Sequence, residues 1–365
     1  ALTYAALCLP GGISHMPKLL KRISLMCNRQ ILSDGGHVER SPAAQLLALC
    51  HLVDIRGILE KAAITIPEEL QAAITIPEEL QAAIDRAAPM LRFYRHGDGA
   101  FALFNGSTEG EPWLVDVVLA KAAAEGKPPP SAAETGFERI VANRTLLIVD
   151  SGTPSKTATD AHAGSLSFEM STGKQRVIVN CGAYAGRDEA WRLAQRASAA
   201  HSTLIVDHRN STEISPDGSV GGTPALVTCE RREHDGNTWL DLTHDGYQHS
   251  HGLVHRRRLY VNTSGTDVRG DDTLEGSGEH KFAIRLHLHP SVKASLVKDG
   301  TSVLLRLPDK SGWRFRCSGG VASLQESVYL GNGQGSRRSE QIVISAATRQ
   351  GNAQVKWALT RLTDK

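Results

Sequence analysis

Apolar residues recur at helical spacing from the start of the chain. Between Met16 and Ile31 they fall at Leu19, Leu20, Ile23, Leu25 and Met26, which predicts a helix. Ser41-Pro42 then opens a second helix, with Ser as N-cap and Pro in the first turn. Leu46, Leu47, Cys50, Val53 and Ile55 continue it on a broad apolar face, and Gly57 is expected to weaken or end it. Residues 1 to about 95 therefore read as helical hairpins with short connections. Within them AAITIPEELQ occurs twice in succession, at 62–71 and 72–81. Each copy holds a helix start, Pro67-Glu68-Glu69 and Pro77-Glu78-Glu79, with acids in the first turn. Two short copies do not make a solenoid. They read as a local duplication in a surface connection, the second copy running on into the native helix through Leu91.

Beyond Phe101 the period changes. GAFALFNG reads as a strand and Trp113–Ala124 as a helix, and the Pro-rich stretch GKPPPSAAETG at 126–136 marks a domain boundary. Short apolar or alternating runs follow at Thr145–Val149, Leu166–Met170, Arg176–Val179, Thr203–Val206, Trp239–Leu242, Leu259–Val261, Val303–Leu307 and Val355–Leu359. Turn signals separate them, including Asp235-Gly236, Asp299-Gly300 and Gly351-Asn352. Only Asp188–Ala199 reads as a helix among them. This pattern predicts a sandwich of antiparallel sheets and not a parallel α/β fold.

Composition narrows the function classes. The 365 residues carry a net charge of +2, with 41% hydrophobic and 22% charged residues, ordinary for a globular protein. Such a balance leaves no electrostatic footprint for nucleic acid. The one dense basic run, Arg256-Arg257-Arg258, reads as a solvated or ion-paired strand face. No apolar run reaches the roughly 18 residues of a membrane span, so none is expected. The six cysteines show no CxxC spacing, no disulfide framework and no zinc-finger pattern. The chain starts without Met or a basic leader, and is expected to be a fragment or a processed form that begins inside a domain.

The fifteen histidines suggest where chemistry could lie. In an extended segment Asp160 and His162 would share a face, among small residues. Asn180 closes the apolar strand Val177-Ile178-Val179, and His201 directly precedes another, Ser202–Val206. These polar strand ends could converge as parts of a zinc site, or each could be a hydrogen-bonded strand terminus. Tyr247, His249 and His251 would also share a face if extended, lining a cleft, or would sit in an exposed hairpin loop. His287 and His289 read as structural histidines on a strand.

Several longer strings carry a resemblance. SDGGHVERSPAAQLL (33–47), RAAPMLRFYRHGDGAFALFNG (86–106), HAGSLSFEMSTGKQRVIVNCGAY (162–184), AAHSTLIVD (199–207), HDGYQHSHGLVHRRRLYV (244–261) and KFAIRLHLHP (281–290) are similar to the heparinase II/III family of polysaccharide lyases, in its bacterial branch. The resemblance implies an α+β multidomain protein: the C-terminal part of an (α/α) toroid over residues 1–125, then an antiparallel β-sandwich over 136–365. It implies β-elimination on an acidic, uronic-acid-containing polysaccharide, and hence a periplasmic or extracellular location. In that chemistry a neutral or cationic side chain offsets the substrate carboxylate, a Tyr or His removes the C5 proton, and a Tyr protonates the leaving oxygen.

Carried onto this chain, the resemblance puts a structural zinc on His162, Asn180 and His201, where the middle ligand is a neutral amide. Asp160 stands where some members have a catalytic imidazole. The family's D-G-x-x-x-E-x-S-P-x-Y-H pattern is met at Asp34, Gly35, Glu39, Ser41 and Pro42, while Ala44 and Gln45 replace the Tyr and His. The expected base is then His37, or that residue simply hydrogen-bonds in its loop. Tyr247 and His251 are the expected replacement acid and partner, and Glu39, Asp160 and His249 would contact substrate. The lost Tyr equally suggests a non-catalytic glycan-binding or structural relative.

Overall fold

The computed structural model describes residues 1–65, 76–156, 158–215, 217, 219–221, 225–297 and 300–362. Helices span Leu2–Cys8, Met16–Gln30, Pro42–Thr65, Glu78–Phe93 and Pro112–Ala122. Ser41 caps the third, its hydroxyl accepting the Ala44 N–H at 3.4 Å. Gly57 does not end that helix, contrary to expectation. Nothing crowds the glycine, and the buried Leu49, Val53, Leu59 and Ala62 keep the helix in the apolar core on both sides of it. Of the duplicated segment, Pro67-Glu68-Glu69 lies outside the described residues, whereas Pro77 does precede the helix Glu78–Phe93. By length and composition the stretch Pro42–Ala63 could cross a membrane, which the sequence reading did not anticipate. Here one face of it packs in the helical core, and Arg56 reaches the backbone carbonyl of Ala122.

GAFALFNG does not form the expected strand beyond a single bridge between Arg95 and Phe101. Its N–H groups go elsewhere: Phe101 to the Glu109 carbonyl, Ala102 to the Tyr94 carbonyl, and Leu103 to the Glu169 carboxylate. The run is apolar because it is buried on all sides, not because it is half of a ladder.

The rest is two antiparallel sheets. The first runs Ser131–Ala132, Phe137–Ala142, Thr145–Asp150, Phe168–Thr172, Gln175–Val179, Lys281–Leu288, Arg337–Ala347, Val321–Tyr329, with Leu204–Val206 also pairing to Lys281–Leu288. The second runs Lys293–Leu296, Ser302–Arg306, Gly312–Ser318, Ala353–Arg361, Asp267–Gly276, Leu253–Val261, Asn237–His244, Val227–His234. Their inner faces share one core that includes Leu147, Phe168, Ile284, Leu259, Phe315 and Trp357. The helices cover part of the outer face of the first sheet, through Phe137, Leu146 and Ile148. Thr145–Asp150 is therefore buried along its whole length, which is why it reads as a continuous apolar run. Asn237–His244, with one face toward solvent, alternates. Asp235 and Gly236, both at positive φ (50° and 73°), make the two-residue turn before it. Of the basic run, Arg257 points inward to a buried ion pair with Asp272 at 2.7 Å, while Arg256 and Arg258 pair with Asp241.

Candidate functional site

The helices and the first sheet meet along the loop 33–41. Two glycines allow the close approach: a Cβ at Gly35 would lie 2.1 Å from the Arg86 carbonyl oxygen, and one at Gly36 would lie 1.8 Å from Thr135 Oγ1. Asp34 accepts from Thr135 N–H at 2.7 Å and from its hydroxyl at 2.6 Å, so its carboxylate faces the sheet connection. Arg40, buried and at φ 57°, donates to the carbonyls of Thr135, Gly136 and Thr153, pairs with the buried Asp150, and lies over the Phe137 ring. Between these clamps stand His37 and Glu39. His37 is buried. Its Nδ1 accepts the Glu39 N–H at 3.3 Å, and burial lowers its pKa. With Nδ1 accepting, the neutral ring carries its proton on Nε2. Glu39 is half-buried, and burial, aided by the Asp160 charge, raises its carboxyl pKa.

Asn105-Gly106 brings the other side of the junction together. Asn105 donates to the Arg40 carbonyl at 2.8 Å and accepts the His162 N–H at 3.1 Å. Gly106 lies against Asp160, whose Cβ would be 2.7 Å from an added methyl, and its N–H donates to His162 Nε2 at 3.0 Å. Asp160 and His162 thus do flank one point, although the segment is a turn and not the expected extended run.

His162 and His201 meet as the sequence suggested, with Nδ1 and Nε2 3.0 Å apart. Their partners fix the protons. His201 Nδ1 must donate to the Ala197 carbonyl (2.8 Å), so its Nε2 accepts. His162 Nδ1–H is the donor, and its Nε2 accepts from Gly106. Every ring nitrogen is used by two neutral imidazoles. Burial lowers the pKa of both, His201 to about 4 and His162 well below the usual value, the latter also through His201 and Arg196.

Asn180 is fully buried beside them. Its Oδ1 accepts the Ser202 N–H (2.9 Å), its Nδ2 donates to the Leu103 carbonyl (3.2 Å), and its own N–H donates to Glu169 (2.8 Å). In this arrangement the free lone pairs of His162 and His201 and one of the two on Asn180 Oδ1 are taken by hydrogen bonds, so a zinc here would have to displace the His162–His201 and Gly106–His162 bonds. The three side chains are satisfied by hydrogen bonds without an ion, and no chemistry is routed through one.

The segment 247–251 differs from expectation. Gln248–His251 is a short helix, so Tyr247, His249 and His251 do not share an extended face. Tyr247 is fully buried, and its hydroxyl lies 3.2 Å from the Leu204 carbonyl and 3.3 Å from that of Arg209. Burial raises its pKa, the reverse of what a proton donor near neutral pH needs. His249 is exposed. His251 turns instead toward Asp207 and His280. His287 behaves as a structural histidine, set between the Ser327 hydroxyl (2.7 Å) and the Ala199 carbonyl (3.0 Å).

Residues 124–358 match the family described as heparinase II/III-like, C-terminal. The chain belongs to the heparinase II/III-like family. FtsZ-localized protein C of Caulobacter vibrioides (strain NA1000 / CB15N) is 31% identical over 372 residues, covering 94% of this chain and 61% of that protein. A heparinase III crystal structure aligns with all of this chain and 60% of its own, at TM-score 0.80 and 14% identity. Heparan sulfate lyase HepC from Pedobacter heparinus aligns with 97% of this chain and 56% of its own, at TM-score 0.69 and 17% identity. These structural likenesses establish a heparinase III-like fold. The chain spans about three-fifths of the length of these relatives.

Within this heparinase II/III-like chain, the retained motif positions mostly hold the junction together. Asp34 clamps Thr135, Gly35 admits Arg86, and Ser41 caps a helix. Gln45, at the His position, is fully buried and bonded to His37 N–H and to the Gly35 and Ala87 carbonyls. Sequence alone did not point to Arg40 and Asn105, two of the residues that join helices to sheet. Asn-Gly at the end of an apolar run was the available signal for Asn105, since that pair favours left-handed backbone. A lone Arg in a loop gives none.

Proposed function

We propose that this chain is the heparinase-fold part of a non-catalytic, FtsZ-localized protein that has lost the lyase apparatus. The observation that carries it is the state of the junction. β-Elimination on a uronate needs a free base near C5, an acid for the leaving oxygen, and a neutral or cationic group against the substrate carboxylate. His162 has no free lone pair, His37 presents a protonated Nε2, Gln45 is sealed in the core, and position 44 is Ala. The groups left are Glu39 and Asp160, two carboxylates that would repel a uronate. The 31% identity with FtsZ-localized protein C supports the same reading, whereas the likeness to lyases is one of fold. The helices are read as part of an α/α toroid that such relatives complete.

The test uses the full-length protein containing this chain. Incubated with heparan sulfate, alginate and bacterial exopolysaccharides, it should give no unsaturated uronate absorbance, and it should co-sediment with FtsZ polymers. Glycan retention on affinity gels without turnover would add binding to the reading. Turnover of any of these glycans, or loss of it on changing Glu39 or Asp160, would restore the lyase.

A further inference from the structure

Among the described residues, Asp207, His251 and His280 are the one group of three His, Cys, Asp or Glu whose ligand atoms all lie within 4.8 Å of one another. They come from three separate pieces of chain. Asp207 follows the strand Leu204–Val206, His280 precedes the strand Lys281–Leu288, and His251 ends the short helix before Leu253–Val261. The first two belong to one sheet and the third leads into the other. Asp207 is also six residues beyond His201, at the opposite end of that strand; extended chain would separate them by about 20 Å. This cluster is therefore not the His162–His201 pair.

We propose that Asp207, His251 and His280 form a zinc-class divalent-cation site that clips the two sheets together at this end. Asp207 Oδ2 lies 2.7 Å from His280 Nδ1 and 3.8 Å from His251 Nε2. Ligands at zinc bond lengths in a tetrahedron are about 3.3 Å apart, between these two values, so an ion needs only small side-chain movements. The outer contacts already aim the donors. Asp207 Oδ1 accepts the Lys281 N–H at 3.0 Å, which turns Oδ2 inward. Ser250 Oγ sits 2.7 Å from His251 Nδ1, leaving Nε2 for the cluster. The His280 backbone N–H is held by Thr348 Oγ1 at 2.8 Å, and Gly278 leaves room for the ring, since a Cβ there would come 2.7 Å from Nε2. In this arrangement His280 Nδ1 and Asp207 share a proton, which the ion replaces while the ring moves its proton to Nε2.

The side chains of His251, His280 and Asp207 are 10%, 21% and 37% exposed, so an ion can enter and a water can complete the shell. Two imidazoles and one carboxylate with an open position suit zinc, cobalt or nickel, and not calcium or magnesium, which take mainly oxygen. The Arg209 charge beside His251 works against the ion, and the carboxylate offsets it. This proposal stands independently of the reading of the junction.

The experiment strips the whole chain with chelator and titrates it with Zn²⁺, then with Co²⁺ as a spectroscopic probe. One equivalent should bind, Co²⁺ should show the visible bands of a low-coordinate nitrogen–oxygen site, and thermal unfolding should move up with Zn²⁺. His280→Ala and His251→Ala should each weaken Zn²⁺ binding at least about 100-fold, while the circular dichroism of the stripped protein stays unchanged. His162→Ala should leave binding intact. No uptake by the folded chain, or uptake abolished by His162→Ala and untouched by His280→Ala, overturns the proposal.

Discussion

Asn105 shows how much one residue carries at the junction. It is buried in left-handed backbone (φ 43°), and its amide satisfies the Arg40 carbonyl on the helical side and the His162 N–H on the sheet side. Asn105→Ala leaves both groups buried without a partner, at about 1–3 kcal/mol each, and forces a Cβ residue without a local hydrogen bond into a strained region. Asn105→Gly loses the same two bonds but relieves the backbone. Urea unfolding should therefore find Asn105→Ala destabilised by about 2–5 kcal/mol and Asn105→Gly by about 1 kcal/mol less. Equal and small losses in both would mean that water replaces the amide and that the residue is not a structural link.

At the scale of elements, the helical layer meets the sheet through the loop 33–41 and the connection 131–136. Gly36→Ala would drive a methyl into Thr135 Oγ1, and the loop would have to lift, breaking both Asp34–Thr135 bonds. Hydrogen exchange should then show faster exchange at the Thr135 and Gly36 amides, with the Val303–Leu305 amides of the far sheet unchanged. Uniform acceleration across both sheets would show instead that the layers unfold as one unit.

These elements also mark what could be read from sequence. Ser41-Pro42, Asp235-Gly236 and the run Thr145–Val149, which lies within the strand Thr145–Asp150, were legible because cap, turn and burial chemistry are local. The edge strand Val227–His234 was not. It is charge-rich and mostly exposed, and its period signals no core face. Tyr247 was misplaced because a single helical turn, closed by Gly252 at φ 66°, reverses the direction that alternation implied. The meeting of His162 with His201 depends on contacts 39 positions apart; their strand-end positions left convergence as one of two readings, and the family resemblance favoured it.

Over the whole molecule, the buried histidines make acid the natural denaturant. Burial holds His201 at about 4 and His287 at about 3, and His162 and His244 well below the usual value. Each is neutral in the fold, while in the unfolded chain it takes up a proton near pH 6.5. Between pH 6.5 and 4 the unfolded state therefore binds more protons, and stability rises with pH through that window and is lost as pH falls. The carboxylates act further down. Arg257, the first attraction opposing burial, and His255 hold Asp272 well below the usual range, and His289, Arg176 and Tyr329 bring Glu109 to about 2. Their stabilisation is present above the ordinary carboxylate range and is lost only below it. A histidine held at about 4 costs the fold about 2 kcal/mol at pH 5 relative to pH 8, so His201 and His287 together should remove about 4 kcal/mol. Urea unfolding between pH 8 and 5 measures this directly. His287→Gln should reduce the slope by up to about 1.4 kcal/mol per pH unit, whatever it does to stability at pH 8. A flat profile from pH 7 to 5 would mean that these rings gain their protons inside the fold, and that the neutral hydrogen-bond chain from Gly106 through His162 and His201 to Ala197 does not describe the protein in solution.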